Sequence, residues 1–214
     1  MKVYFLSGIA ADSRLFKYIK LPIGYDAVFL DWIKPKRDES IDEYSKRLME
    51  NISAEEKFVI VGLSMGGIVA TEIANIYKPI ATIILGSVST SDQLPPYYKW
   101  LNRLKVNKMI PGNFYKWAAA LKHRFSNENK EDKDIIIKMI RQADPDFIYW
   151  GINAVPKWNN LVKPNPLFHI HGTRDEVFPI NFTRPTHVIK KGGHLLAISH
   201  PEEINSILKE ILKK

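Results

Sequence analysis

Three residues of the chain have the types and the local settings that nucleophilic catalysis requires. Ser64 stands in Gly-Leu-Ser-Met-Gly-Gly, Asp175 ends His-Gly-Thr-Arg-Asp, and His194 ends Lys-Lys-Gly-Gly-His. A serine hydroxyl is a poor nucleophile until a base takes its proton, and histidine supported by a carboxylate can act as that base. If the fold brings the three side chains together, they predict acyl transfer through a covalent serine intermediate.

The segment around Ser64 predicts a sharp turn from a strand into a helix. Residues 58–61 form an apolar, β-branched run typical of a buried strand, and residues 68–77 repeat apolar side chains at helical spacing. Gly62 and Gly66 leave room for the adjoining strand and helix at such a turn. The Ser64 hydroxyl is then expected at a helix N-terminus, which favours negative charge. The alternative is a glycine-rich turn that binds phosphate, but no Gly-Lys-Ser or Gly-Lys-Thr follows.

This arrangement resembles the nucleophile elbow of the α/β-hydrolase family, in which the serine of Gly-x-Ser-x-Gly lies between a strand and a helix. The chain order Ser64, Asp175, His194 is similar to that family's order of nucleophile, acid and base. The resemblance implies that His194 takes the proton of Ser64 and that Asp175 orients and stabilises the imidazole. It covers the core of the chain, residues 1–90 and 164–214.

The resemblance also implies two backbone N–H donors that form an oxyanion hole. One is the N–H of Met65, directly after the nucleophile, and the other lies in the loop after the first predicted strand. The family usually has His-Gly in that loop, whereas this chain has Ser7 followed by Gly8. Gly8 keeps the loop able to bend, and position therefore assigns the second donor to the N–H of Ile9.

Other residues offer alternatives to the triad members. Asp92 is the alternative acid, because it follows the fourth predicted strand, where some relatives carry theirs; the His-Gly-x-x-Asp setting favours Asp175. His169 and His171 precede the acid on the same predicted strand, and we expect them to orient its loop or to pack in the core. The remaining histidines are expected to be structural or to lie at the surface: His187, His123 and His200. No histidine–carboxylate group has the spacing of a metal site, so neither a metal nor another cofactor is predicted.

Apolar strands alternate with amphipathic helices, which predicts an α/β fold with a mostly parallel, doubly wound sheet of about six strands. The predicted strands are residues 2–6, 26–30, 58–61, 80–85, 166–171 and 186–189. Capping boxes at residues 40–43 and 199–202 predict two helix starts, and Asp12 or Ser13 is expected to cap a short helix.

The alternation stops between residues 91 and 163, where no strand is predicted. Helices are predicted there at residues 97–106, 114–125, 132–142 and 145–155. The family resemblance implies that this segment is a helical cap inserted into the core. We expect most of its aromatic side chains to fill the core of the cap and some to roof an apolar pocket over Ser64. These aromatic residues are Tyr97, Tyr98, Trp100, Phe114, Tyr115, Trp117, Phe147, Tyr149, Trp150 and Trp158.

Composition limits the class of protein. The chain has 214 residues, enough for one domain with a sizeable core, and it contains no cysteine. Disulfides, thiolate metal sites and a cysteine nucleophile are therefore excluded. The apolar run at the N-terminus is too short for a signal peptide, and no apolar stretch is long enough to span a bilayer, so a cytoplasmic location is expected.

Positive charge is concentrated in the centre of the sequence. Residues 95–163 hold 13 Lys and Arg against 6 Asp and Glu, a balance of +7, and the whole chain carries +8. A solvated basic surface explains this pattern, and so would an anionic substrate, an anionic membrane surface or nucleic acid. No zinc finger or aromatic RNP strand is present, which disfavours nucleic acid.

The motifs together predict a serine hydrolase that cleaves a carboxylic ester or thioester through an acyl-enzyme. The expected substrate has an apolar acyl group, with an anionic remainder as an option suggested by the basic segment. The resemblance leaves other chemistry open, because the family includes C–C bond hydrolases, lyases and cofactor-free oxygenases. A ligand-binding module without catalysis is the alternative from another class, and it would need no nucleophile–base pair.

Overall fold

A computed structural model describes residues 1–50, 57–103, 111–124 and 129–213. A single sheet of six strands forms its centre, in the order β2-β1-β3-β4-β5-β6, and every neighbouring pair is parallel. The strands are β1 (Lys2–Leu6), β2 (Asp26–Phe29), β3 (Val59–Leu63), β4 (Ala81–Leu85), β5 (Leu167–Gly172) and β6 (His187–Ile189). The predicted α/β architecture and number of strands are confirmed, and no strand boundary moves by more than two residues.

Helices follow or precede the strands on both faces of the sheet. They are α1 (Ile41–Met49), α2 (Met65–Tyr77), α3 (Pro96–Arg103), α4 (Gly112–Arg124), α5 (Lys130–Gln142), α6 (Pro145–Ala154), α7 (Leu196–Ser199) and α8 (Pro201–Leu212). Among the described residues, none of these helices is long and apolar enough to cross a membrane. Asp12 caps a short 3-10 turn at Ser13–Phe16, as predicted, by accepting from the N–H of Arg14.

The sheet separates two hydrophobic cores, because successive side chains of a strand point to opposite faces. In β1, Val3 and Phe5 join the core that also holds the apolar side of α8. Tyr4 and Leu6 of the same strand join the core that holds α1 and α2. Strands β3 and β4 are buried along their whole length, as expected for central strands covered on both faces.

The four helices α3 to α6 lie between β4 and β5 in the sequence, and the described residues of this segment contain no strand. Residues 104–106 and 125 of the predicted helices lie outside the described residues. Helix α6 is fixed to the core, because the ring of Trp150 packs on Tyr44 of α1, with 4.4 Å between ring centroids, and its Nε1–H donates to the carbonyl of Glu39. Phe147 also packs on Tyr44. These two aromatics therefore join the helical segment to the sheet domain, which differs from the expectation that they fill the core of the segment.

One of the two predicted capping boxes is present. Ser40 and Glu43 form the reciprocal hydrogen bonds of a capping box at the start of α1. The capping box predicted at residues 199–202 is wrong. Ser199 ends the short helix α7, and its hydroxyl donates back to the carbonyl of Leu195. Helix α8 then begins at Pro201, with His200 as its N-cap residue.

Candidate active site

Ser64 is the residue at which β3 turns into α2. Its backbone has φ 57° and ψ −124°, a conformation that favours glycine. Two hydrogen bonds from the end of β4 hold the turn: the Ser64 N–H donates to the carbonyl of Leu85 over 3.0 Å, and the Ser87 hydroxyl donates to the Ser64 carbonyl over 2.7 Å. A Cβ at Gly62 or Gly66 would collide with neighbouring backbone, as predicted. The strained turn leaves the serine side chain beyond the end of the sheet.

A chain of hydrogen bonds connects Ser64 to Asp175 through His194. The Ser64 Oγ lies 2.8 Å from His194 Nε2, and His194 Nδ1 lies 2.9 Å from Asp175 Oδ2. A carboxylate only accepts, so Nδ1 carries the proton and Nε2 is left to accept from the serine hydroxyl. The acid itself is fixed by its loop, because Asp175 Oδ1 accepts from the N–H groups of Val177 and Phe178 over 2.8 and 2.9 Å.

Asp175 is a buried carboxylate whose charge is compensated. Its side chain is fully buried, and that of His194 is 18% exposed. Burial raises the pKa of Asp175, but the hydrogen bond and charge of His194, together with the Phe178 N–H, outweigh this and place its pKa below the ordinary value. The carboxylate is thus ionised at neutral pH and faces the imidazole that it orients.

Two buried histidines of β5 lie behind the acid. His171 Nε2 is 2.7 Å from the carbonyl of Phe178, which only accepts, so this nitrogen carries the proton. His171 Nδ1 therefore accepts from His169 Nε2, at 3.0 Å. Burial is the main cause that lowers the pKa of both imidazoles, to about 3 for His169. Both residues pack in the core and His171 holds the acid loop, which confirms the expectation for this pair.

The other candidates lie elsewhere. Asp92, the alternative acid, is exposed on a short 3-10 turn at Ser91–Gln93, whereas the imidazole of His194 pairs with Asp175. His187 on β6 is hydrogen-bonded to the hydroxyl of Thr186. His200 is hydrogen-bonded to the hydroxyl of Ser199. The side chain of His123 lies outside the described residues.

The loop after β1 passes directly beside Ser64. A Cβ added at Gly8 would lie 3.2 Å from Ser64 Cβ, a tight contact that glycine avoids. Ser7, which stands where relatives usually carry histidine, is buried and donates its hydroxyl to the carbonyl of Ala11 over 2.8 Å. Ile9 and Met65 both line the cavity that contains Ser64. Met65 is the first residue of α2, a position whose N–H has no partner within the helix.

The cavity over Ser64 and His194 has a volume of about 520 Å³. Its walls come from the loop after β1, from the acid loop and from helices α3 to α6, and no Asp, Glu, Lys or Arg lines it in the described part of the chain. Tyr97, Tyr98, Tyr115 and Phe178 contribute aromatic side chains to the lining. Another cavity, of about 540 Å³ between residues 34–42 and α6, contains none of the three triad candidates. The apolar cavity next to Ser64 is therefore the one that can hold a substrate for this serine.

Two supporting features of the site escaped the sequence reasoning. Gly86 has φ 49°, and a Cβ there would lie 2.9 Å from the carbonyl oxygen of His194 and 3.1 Å from Asp175 Oδ2. Tyr98 joins α3 to the acid loop, because its ring stacks on Phe178 at 5.8 Å and its hydroxyl donates to the carbonyl of Val177 over 3.2 Å. The Gly-Ser pair after the fourth predicted strand was the available signal for Gly86 and Ser87; nothing in the sequence distinguishes Tyr98 from its neighbours.

Within residues 1–50, 57–103, 111–124 and 129–213, no group of three or more histidines and carboxylates is placed to bind a metal ion.

Comparisons with known proteins agree on one fold. A family model described as "Alpha/beta hydrolase family" matches residues 3–207. No curated protein matches the chain significantly. A thermophilic esterase from Thermogutta terrifontis aligns with a TM-score of 0.77 and 19% identity, over 100% of this chain and 89% of that chain. An esterase from Exiguobacterium antarcticum aligns with a TM-score of 0.73 and 16% identity, over 100% of this chain and 92% of that chain. MenH from S. aureus aligns with a TM-score of 0.73 and 18% identity, over 100% of this chain and 93% of that chain.

Proposed function

This chain belongs to the alpha/beta hydrolase family, and we propose that it is a serine hydrolase that cleaves a carboxylic ester or thioester. The observation that carries the proposal is the unbroken hydrogen-bond chain from Ser64 Oγ through His194 to Asp175. The serine of this chain lies in an apolar cavity that is large enough for a small substrate. A fold shared with esterases gives further support at the level of architecture alone.

In the proposed reaction, His194 Nε2 takes the proton of Ser64 as Oγ attacks the carbonyl carbon of the ester. The tetrahedral intermediate collapses when the same imidazole returns that proton to the leaving alcohol or thiol, which leaves an acyl group on Ser64. Water then repeats both steps and releases the acid. Asp175 keeps the proton on Nδ1 throughout and stabilises the imidazolium, a role that its buried, ionised carboxylate supports.

The N–H groups of Met65 and Ile9 are proposed to stabilise the oxyanion. Both residues border the cavity beside Ser64, and the helix that begins at Met65 directs its positive end toward this point. Loss of one oxyanion donor in serine hydrolysis typically costs about 100–1000-fold in rate. Gly8 supports the second donor, because it brings the loop against the serine.

Substrate selection is assigned to the helices between β4 and β5. We treat residues 91–163 as a cap on a core formed by residues 1–90 and 164–214, because α3 to α6 supply much of the cavity wall. The uncharged lining favours an apolar acyl group. An anionic leaving part would have to lie outside this lining, toward the basic residues of the segment.

A fluorophosphonate probe tests the proposal most directly, because it reacts with activated serines. We expect stoichiometric labelling at Ser64, located by peptide mass spectrometry, and turnover of short-chain p-nitrophenyl esters. Ser64→Ala is expected to lose both, whereas Ser199→Ala, which changes a serine outside the cavity, is expected to keep both. Labelling at another serine, or none in the folded protein, would contradict the proposed role of Ser64 and favour a ligand-binding module.

A further inference from the structure

A stretch of the helical segment combines positive charge and aromatic side chains without any acidic residue. Residues 93–127 contain seven Lys and Arg, seven Phe, Trp and Tyr, and no Asp or Glu. Asp92 and Glu128 flank the stretch on either side. Helices α3 and α4 lie within this stretch, and both contribute tyrosines to the cavity over Ser64. The proposed catalytic chemistry requires neither this charge nor this aromatic content.

Three large aromatic side chains of these helices lie largely in solvent. Trp100 on α3 is 63% exposed, and Trp117 and Phe114 on α4 are 60% and 51% exposed. The rings of Phe114 and Trp117 lie 5.8 Å apart and form an exposed pair. The tryptophans of α6 and of the turn after it, Trp150 and Trp158, are buried. Tyr98 and Tyr115 thus line the cavity, whereas Trp100, Phe114 and Trp117 of the same two helices lie mostly in solvent.

We propose that the exposed side of α3 and α4, marked by Trp100, Phe114 and Trp117, docks on an anionic lipid surface. Tryptophan favours the boundary between headgroups and acyl chains, because its ring is apolar and its N–H is polar. Lysine and arginine are attracted to anionic headgroups, and no carboxylate within the stretch opposes them. The exposed rings supply apolar insertion, and the basic sequence of the stretch, with the exposed Arg103 of α3, supplies charge complementarity.

A lipid surface fits these helices better than a nucleic acid does. Single-stranded nucleic acids also bind basic, aromatic surfaces. Here, however, the same two helices form the wall of an uncharged cavity, which matches acyl chains and offers nothing to a phosphate backbone. Docked in this way, the cavity would lie beside the membrane boundary. The proposal does not depend on the proposed hydrolase function, because binding is measured with a protein that lacks Ser64 Oγ.

The experiment measures co-sedimentation of full-length Ser64→Ala protein with sucrose-loaded vesicles. We expect binding to vesicles of 70% phosphatidylcholine and 30% phosphatidylglycerol to be about tenfold or more tighter than to phosphatidylcholine alone, because the sequence of the stretch has seven Lys and Arg and no carboxylate. Raising the salt to 1 M is expected to remove most of this difference, because the Debye length falls to about 3 Å. Trp emission is expected to shift to shorter wavelength on binding. Equal binding to both vesicles, or no binding to either, would overturn the proposal.

Matched variants in the same background locate the surface. Trp100→Ser with Trp117→Ser is expected to weaken vesicle binding about tenfold or more and to abolish the emission shift. Leu161→Ser, at a residue that is 69% exposed in the same helical segment but outside the stretch, is the apolar control and is expected to change nothing. Arg103→Glu is expected to weaken binding to anionic vesicles, with the exposed Lys209 of α8, changed to Glu, as its control. Thermal unfolding checks that each variant is folded.

Two further outcomes decide against lipid. Undiminished binding by the double tryptophan variant would place the contact elsewhere and overturn the assignment to α3 and α4. Tight binding of a fluorescent poly-uridine oligonucleotide, with no association with vesicles, would assign the basic stretch to nucleic acid instead.

Discussion

His171 Nε2 donates to the carbonyl oxygen of Phe178 over 2.7 Å, and this bond joins β5 to the far end of the loop that carries Asp175. The Phe178 N–H in turn donates to Asp175 Oδ1. The buried imidazole of His171 thus holds Phe178, and Phe178 in turn holds the carboxylate of Asp175. Asp175 Oδ2 lies 3.5 Å from the same His171 nitrogen, so a neutral His171 faces the ionised acid.

His171→Leu is expected to damage catalysis without touching the triad. The Phe178 carbonyl would be left buried without its donor, which costs about 1–3 kcal/mol of unfolding free energy. Misplacement of the acid loop is expected to lower kcat by about 10–100-fold, with little change in KM. His171→Gln keeps an N–H donor and is expected to recover part of kcat. His187→Leu, on the edge strand, is the control, and an equal loss of kcat in that variant would show that any histidine change in this sheet is harmful.

Asp175→Asn is expected to lower kcat by about 10⁴-fold, because an amide no longer holds the proton of His194 on Nδ1. Asp92→Asn, at the exposed alternative acid, is expected to stay near the wild-type rate. Steady-state ester hydrolysis by both variants, with circular dichroism as a check of folding, makes the comparison. If Asp92→Asn loses activity and Asp175→Asn keeps it, the assignment of Asp175 is wrong, and Asp92 after β4 is the acid.

The buried histidines predict that stability falls in acid before the carboxylates titrate. The folded pKa of His169 is about 3 and that of His171 is also lowered, against an ordinary value of 6.5. Below pH 6.5 the unfolded chain therefore binds protons that the folded chain excludes. For His169 the unfolding free energy is expected to fall toward pH 3 by up to about 1.4 kcal/mol per pH unit, and the lowered pKa of His171 contributes in the same direction.

Urea denaturation at a series of pH values measures that slope. The same series on His169→Gln, which keeps an N–H donor toward His171, is expected to show a slope smaller by about one proton. Asp175 acts in the same direction at lower pH, since its lowered pKa contributes stability above the ordinary value of 3.8 that is lost as the pH falls. A stability that is constant from pH 7 to pH 5 would contradict neutral, buried histidines.

Gly86→Ala is expected to reduce kcat and stability together. The residue has φ 49°, and the added methyl group would lie 3.1 Å from Asp175 Oδ2 and 2.9 Å from the carbonyl oxygen of His194. The strained conformation alone costs about 1–2 kcal/mol for a residue with a Cβ. Gly193→Ala is the control, because a Cβ there meets no atom within 4 Å. Measured kcat and melting temperature should separate the two variants, and equal values would show that the site adapts to the methyl group.

Salt tests whether the basic segment attracts an anionic substrate. Among the described residues, no Asp, Glu, Lys or Arg lines the cavity, so a preference for an anion is expected to act through the field of residues outside that lining. We expect kcat/KM for an anionic ester to fall as salt rises from 0.1 to 1 M, because the Debye length shortens from about 10 to about 3 Å. A neutral ester with the same acyl group is expected to change little. The same salt dependence for both esters would show that the basic residues do not steer substrate.

The positions of Ser64, Asp175 and His194 were predictable because each follows a strand that its apolar, β-branched residues already indicate. Parallel strands bring such positions to one edge of the sheet. The orientation of aromatic residues on α3 was not predictable. Tyr98 and Trp100 are two residues apart on one amphipathic helix, and only packing decides that the first stacks on Phe178 at the cavity and the second lies in solvent. Likewise, the residue type and spacing of Ser199 predict a helix N-cap, but Ser199 is instead the last residue of the preceding short helix α7.

The position of the helical segment in the sequence also affects the order in which the strands pair during folding. Strands β4 and β5 are direct neighbours, yet Thr82 and its partner Leu167 are 85 residues apart along the chain. Closing a loop of this length costs more chain entropy than pairing β1 with β2 or β3 with β4, so contact order places that step late. Pulse-labelling hydrogen exchange is expected to protect β1, β3 and β4 before β5. The turn at Ser64 can then form while Asp175 and His194 are still distant, and the proposed base, His194, joins the site last.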